Sequence, residues 1–224
     1  MYYKDILSIK NLFNLNETIA SNIFKNAEFP WEVLDKIEKF IINLGNSLPK
    51  DKFIQHDENI WIAKSAKVSN TASLTGPLII DENAEIRHCA FIRKSAIVGK
   101  NAVVGNSTEL KNVILFNGSQ APHYNYVGDS ILGYKAHMGA GSITSNLKST
   151  RENVTVKLGD AKIETGLKKF GAMLGDNVEI GCNAILNPGT IIGRNSIVYP
   201  LQSVRGTVKE NCIYKSHSQI TNKK

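Results

Sequence analysis

A few side chains in this chain could carry chemistry, and their spacing decides what kind. His123 lies in the stretch PHYNYVGDSILG. An imidazole is the side chain best suited to take a proton near neutral pH, although a single loop histidine is ordinarily surface. His137 follows a little further along the chain. With no third ligand at usable spacing the two histidines do not make a zinc site, and no metal is expected. Arg93 and Lys111 each stand directly after an aliphatic residue, Ile92 and Leu110. Tyr126 taken alone reads as packing. The run MGAGSITSN, Met138 to Asn146, is too short and wrongly placed for a dinucleotide or P-loop fingerprint. Its small residues suit a crowded corner, and could also let a ligand lie against the backbone.

The elements that must position these residues come from an internal repeat. From Ile62 to Phe116 an aliphatic or aromatic residue recurs every sixth position: Ile62, Val68, Leu74, Ile80, Ile86, Ile92, Val98, Val104, Leu110 and Phe116. A second register runs through Leu132, Met138 and Thr144, and a third from Leu174 to Val204. Neither a helix nor a simple strand has a period of six. Small residues two positions before the aliphatic, such as Ala84, Ala90 and Ala96, and glycines directly after it, such as Gly99 and Gly105, fit a chain that turns a corner every six residues. The pattern is that of a hexapeptide-repeat parallel β-helix. Three hexads make one triangular coil, and nineteen hexads give about six coils. Arg93 and Lys111 are three hexads apart, so in that geometry they point outward on one face in neighbouring coils. An anion between them, a phosphate being the natural candidate, explains the pairing; the alternative is two solvated surface side chains.

The remainder divides into an α-helical cap at 1–55, the β-helix at 56–206 with an excursion at 147–173, and a basic C-terminal tail at 207–224. In the cap, apolar residues from Val33 to Leu44 stand at helical spacing behind Pro30, Gly45 stands where a C-terminal cap belongs, and Thr18 to Phe24 suits a shorter helix. This segment is expected to cover the first coil, because an open end exposes a sheet edge. The segments 117–126 and 147–173 interrupt the rhythm, and the second alternates as a hairpin would. Three cysteines without a CxxC spacing and a net charge of +7 from scattered Lys and Arg argue against disulfides, zinc, nucleic acid and membrane partners. The expected setting is the cytoplasm.

From about Arg93 to Arg205 the sequence resembles the acetyltransferase domain of the bifunctional N-acetylglucosamine-1-phosphate uridyltransferase/glucosamine-1-phosphate N-acetyltransferases, most closely their archaeal-type and stand-alone forms. HYNYVGDSILG is similar to that family's His-x-x-Tyr-x-Gly-Asp block, and GAGSITSN to its Gly-Ala-Gly-Thr-x-Thr-x-Asn block. The resemblance implies a left-handed β-helix assembled as a homotrimer, and acetyl transfer from acetyl-CoA to an amino-sugar phosphate in UDP-N-acetylglucosamine supply. It implies His123 as general base, with Glu109 to orient and polarise it. Arg93 and Lys111 would hold the sugar phosphate, Tyr126 and Asn146 the sugar, and Ala140 and Cys182 would lie along the acetyl-CoA channel. His137 stands where many members carry a sugar-binding Asn, and Pro200 and Leu201 replace a small pair near the cofactor. The uridyltransferase half has no counterpart in these residues, so that activity is not expected. The rival reading is a non-catalytic β-helix that binds a sugar nucleotide or a partner.

Overall fold

A six-residue period folds because each hexad supplies one short strand and one corner. In the computed structural model, which describes residues 2–223, the hexads wind into a left-handed parallel β-helix with three faces. On the first face the stacked rungs are Ile60–Ile62, Leu78–Ile80, Ala96–Val98, Val113–Leu115, Ile131–Leu132, Ala172–Leu174, Thr190–Ile192 and Thr207–Val208. The stack is therefore longer than the expected six coils. The interrupted segment 117–126 stays in the wall, with Ala121 pairing with Val104, and the expected tail adds Val208 and Tyr214 as further rungs.

Inward residues such as Ile80, Ile86, Ile92, Val98, Val104 and Leu110 form one buried axial core. Phe116, expected in that column, is not part of it. Between Arg93 and Ala96 the register shifts, so Leu115 pairs with Val98 and takes the inward position. Phe116 turns outward against Phe13, ring centroids 5.1 Å apart. The corner at Asn112 is one residue shorter than its counterpart at Lys94 and Ser95, which moves the plugs Leu115, Ala121 and Val127 by one residue, and a second short step, from Val127 to Leu132, moves the later ones again.

Many corners use the left-handed region, and asparagine occupies it repeatedly: Asn83, Asn101, Asn177, Asn195 and Asn211 have φ between 55° and 58°. Asparagine tolerates this conformation better than most residues. Asn177 donates to Asn195 (3.2 Å) and Asn195 to Asn211 (3.0 Å), a short amide ladder along one edge.

Only the end of the N-terminal segment covers the first coil's open edge, where Phe53–Asp57 pairs antiparallel with Ile60–Ala63; its helices lie elsewhere. The outward side chains of the first face, Ile79, Ile97, Ile114, Ile131, Met173 and Ile191, form an apolar stripe. Leu7, Leu12, Phe13, Trp31, Ile37 and Ile41 bury it. Covering a stripe of that length removes far more apolar surface from water than capping one coil would. The local elements differ accordingly. Residues 18–24 give only a 3₁₀ turn, Ser21–Phe24, and the helix Ile37–Asn46 runs through Gly45 instead of ending there. A Cβ at Gly45 would fall 2.3 Å from the Trp61 ring, so close packing explains that glycine.

The excursion folds back too. Thr155–Leu158 pairs antiparallel with Ala161–Glu164, and Val154, Val156 and Phe170 join the flank cluster, with Phe170 5.8 Å from Trp31. The expected tail instead closes the far end, where Cys212–Ser216 pairs with Gln219–Asn222. Among the described residues no helix is long and apolar enough to cross a membrane.

Asp176 ties the N-terminal arm to the β-helix. Its buried carboxylate accepts from the backbone N–H of Asn14 (2.7 Å) and of Tyr134 (2.9 Å), and pairs with Arg194 at 3.2 Å. The Asp176 backbone N–H donates to the Leu12 carbonyl at 3.0 Å. Asp176→Ala should destabilise the fold by about 2–4 kcal/mol, because it strands buried donors. Asp176→Asn, which keeps an acceptor, should cost less. Chemical denaturation together with amide exchange at Asn14 measures both, and an Ala variant as stable and protected as wild type would show that the latch does not hold the arm.

Candidate active site

Glu109–Lys111, Tyr126–Gly128 and Ile143–Thr144 stack on the second face, and Val103–Asn106, Gln120–His123 and His137–Met138 on the third; backbone hydrogen bonds fix the corner between these two faces. Ser107 donates to the His88 carbonyl, Tyr124 to that of Asn106, Gly141 to that of His123, Asn183 to that of Ala140 and Leu201 to that of Cys182. His88, Asn106, His123, Ala140, Cys182 and Pro200 therefore stand in one column, at the strand spacing of about 4.8 Å per rung. His123 lies one rung from Ala140 and two from Cys182. Three residues read as separate parts of a catalytic site and cofactor channel thus share one ridge.

The neighbourhood of His123 is built to hold it outward. Its imidazole is exposed and makes no hydrogen bond among the described residues. Gly105 lets the preceding Pro122 backbone pass, since a Cβ there would lie 1.6 Å from the Pro122 carbonyl oxygen. Asn125 is buried. Its Oδ1 accepts from the His123 N–H (3.0 Å), and its Nδ2 donates to the Gly139 carbonyl (2.8 Å) and to Ser142. One buried amide pins this loop to the next rung. Sequence pattern does not single the residue out, because an Asn between two tyrosines gives no hint of which way it turns.

On the adjoining second face Tyr126 lies opposite Glu109, and Gly128, Lys111 and Arg93 stack in successive rungs. Arg93 over Lys111 is the pairing that the three-hexad spacing predicts, but the two cations do not share an intervening anion. The Arg93 Nε donates to Glu109 at 2.7 Å. Lys111 is buried, its ammonium 2.9 and 2.7 Å from the two oxygens of Asp129, with the two side chains only 8% and 6% exposed. The ammonium expected at a phosphate is thus already engaged by Asp129. A lysine whose charge is matched inside the protein at this burial is a structural ion pair, and opening it would leave a buried charge.

Asp129 is a hub that the sequence pattern does not reveal, although it ends the His-x-x-Tyr-x-Gly-Asp block. Besides Lys111 it accepts from Asn112 (3.0 Å) and from Asn146. Asn146 also donates to the Tyr126 hydroxyl at 3.2 Å. Burial raises the pKa of Tyr126, and the negative charges of Asp129 and Glu109 add to the rise. The phenol stays protonated at neutral pH, with its O–H free to donate to a ligand.

The chain thus brings Arg93, Glu109, Tyr126 and Asn146 into one polar cluster beside the His123 ridge. It does not bring His137 there. His137 projects from the third face, where its Nδ1 lies 2.9 Å from Glu179. Among the described residues no group of three His, Cys, Asp or Glu is placed to hold a metal ion.

Comparisons with known proteins place the chain. Residues 74–166 match the family described as the GMPPB C-terminal domain. The bifunctional protein GlmU of Methanococcus vannielii is 34% identical over 214 residues, 87% of this chain and 48% of that protein. A bifunctional sugar-1-phosphate nucleotidylyltransferase/acetyltransferase of Sulfurisphaera tokodaii is 32% identical over 76% of this chain and 43% of its own length. The chain spans about half the length of the curated relatives it matches. Among solved structures, a mutant of AntD, an N-acyltransferase from Bacillus cereus in complex with dTDP and coenzyme A, aligns at 16% identity and a TM-score of 0.40, covering 77% of this chain and 89% of that one. That likeness is too distant to bear on chemistry. The repeat and the relatives agree: over most of its length the chain is similar to about half of a GlmU protein.

Proposed function

We propose that the chain is an acetyl-CoA-dependent N-acetyltransferase acting on an amino-sugar phosphate, glucosamine-1-phosphate being the first candidate, in the cytoplasmic supply of UDP-N-acetylglucosamine. The observation that carries this reading is the column itself: an exposed, unengaged His123 on one ridge with Ala140 and Cys182, flanked by Arg93, Glu109, Tyr126 and Asn146. In the proposed reaction the neutral sugar amine attacks the thioester carbonyl. His123 takes the proton from nitrogen as the C–N bond forms, and Glu109, bonded to Arg93 in the free chain, is the carboxylate that would polarise the imidazole once the phosphate takes over Arg93. The tetrahedral intermediate then expels the coenzyme thiolate, and the imidazolium returns the proton to sulfur. Tyr126 and Asn146 meet the sugar hydroxyls. Arg93, half-buried and held by Glu109, meets the phosphate. Holding both substrates in register supplies much of the rate. No uridylyl transfer is assigned to these residues.

The reading extends to a homotrimer. The arm occupies the first face, so contacts between copies fall to the other two faces and their shared corner, where Tyr124, Ile185, Tyr199 and Leu201 are exposed. Light scattering in the micromolar range should return three times the 24.7 kDa chain mass; a monomer mass throughout would count against it.

Release of free thiol from acetyl-CoA in the presence of a panel of amino-sugar phosphates separates this enzyme from a non-catalytic binding module. His123→Ala should lower kcat by about 10²–10⁴ while leaving acetyl-CoA binding near wild type. A variant that keeps most of its turnover would remove His123 as the base. Arg93→Ala should raise KM for the phosphorylated acceptor roughly ten- to hundredfold, with little change for acetyl-CoA. Equal affinity for the sugar phosphate in variant and wild type would return Arg93 to a structural role with Glu109.

A further inference from the structure

A groove of about 630 Å³ lies between the folded-back hairpin and the β-helix, outside the polar cluster described above. The hairpin strands alternate in burial. Val156 and Ile163 face the apolar flank, while Thr155, Lys157, Lys162 and Glu164 line the groove. Arg205 enters from the β-helix side. Lys157 and Lys162 are direct cross-strand partners, a position where like charges are unfavourable. Lys157, Lys162 and Arg205 are all exposed, and none forms an ion pair among the described residues. By contrast Arg87, Arg93, Lys100, Lys111 and Arg194 each have a carboxylate partner.

The walls are seated rather than loose. Gly189, at φ +80°, admits the Thr155 carbonyl, which a Cβ would meet at 2.8 Å. The Thr207 hydroxyl donates to the Lys157 carbonyl at 2.7 Å. Lys148, which also lines the groove, directs its ammonium at the Asn153 carbonyl (2.7 Å) and so holds the loop that leads into the hairpin. Glu152 and Glu164 line the groove as well, so four cations face two carboxylates, and three of the cations are uncommitted. Hydroxyls of Ser145 and Thr155 add neutral donors. Two ammonium groups side by side with a guanidinium across from them match an extended anion with several charges better than a single phosphate.

We propose that this groove binds the tandem phosphates of a polyphosphorylated ligand, with Lys157, Lys162 and Arg205 as the anion contacts. Coenzyme A and a nucleotide diphosphate both carry that chemistry. The site does not depend on acyl transfer, because binding is measured without turnover; loss of activity in His123→Ala would leave it untouched.

The test is titration calorimetry with coenzyme A, UDP and inorganic pyrophosphate on wild type, on Lys157→Gln/Lys162→Gln and on Arg205→Gln, at low and physiological salt. All three side chains are exposed, so the variants should melt as wild type does. The expected result is at least a tenfold loss of affinity in the double variant, with wild-type binding weakening as salt rises. A loss for coenzyme A with UDP unaffected assigns the groove to the coenzyme, and the reverse assigns it to a nucleotide. A loss for both means that the site reads the shared diphosphate. Variants that bind every probe as tightly as wild type, or a wild type that binds none of them, would overturn the proposal.

Discussion

Each rung of the β-helix shares its strand ladder with the rungs before and after it, so the structure depends on keeping every inward side chain in register with its neighbours. Strands two or three residues long have little stability alone. They persist because Ile80, Val98, Leu115 and Leu132 plug the axis in sequence, and because the backbone ladder leaves few N–H groups unpaired within the stack. The same register places the ridge of His123, Ala140 and Cys182. A chemical site on such a wall is a by-product of periodicity: residues one coil apart in sequence become neighbours in space without any loop to bring them together.

The axis is legible in the sequence because it is written with one residue class at one spacing. Two other columns are not. The outward isoleucines Ile79, Ile97, Ile114 and Ile131 recur once per coil, but each stands beside an inward aliphatic, so the eye assigns them to the same strand. Read as a separate stripe they announce a covered face, and hence an arm along the flank rather than a cap on the end. The corner asparagines also repeat once per coil, yet Asn is common in any loop. The shortened corner after Lys111 carries no composition signal, so Phe116 reads as a plug when it is an anchor for Phe13.

At the candidate site, residue types and spacing are readable, but charge balance is not. Spacing alone puts Arg93 over Lys111, as the rungs do. Which anion answers each cation depends on side-chain reach across faces: Glu109 sits one rung from Arg93, and Asp129 one rung from Lys111. Once Asp129 takes Lys111, that carboxylate also sets Asn146, and through Asn146 the Tyr126 hydroxyl. The ion pair therefore works as a positioning device, with Arg93 left as the more exposed cation. Spacing does not separate His137 from the site, because the chain after His123 crosses a corner and returns to the third face.

The latch at Asp176 bears on the order of events at the ribosome. Leu12 and Asn14 are made long before the groups that receive them, which belong to a coil completed only after residue 176, and the last part of the stripe, Ile191, comes later still. Until then only part of the stripe exists: Phe13 already has Phe116, but Met173 and Ile191 are still to come. The nascent chain must carry an apolar segment unsatisfied while the repeat grows, a long-range closure that is slow by its nature. The flank is sealed late by a segment that emerged well before the coils it covers, so a ribosome stalled before the sixth coil would present a sticky, unfinished protein to whatever holds nascent chains apart.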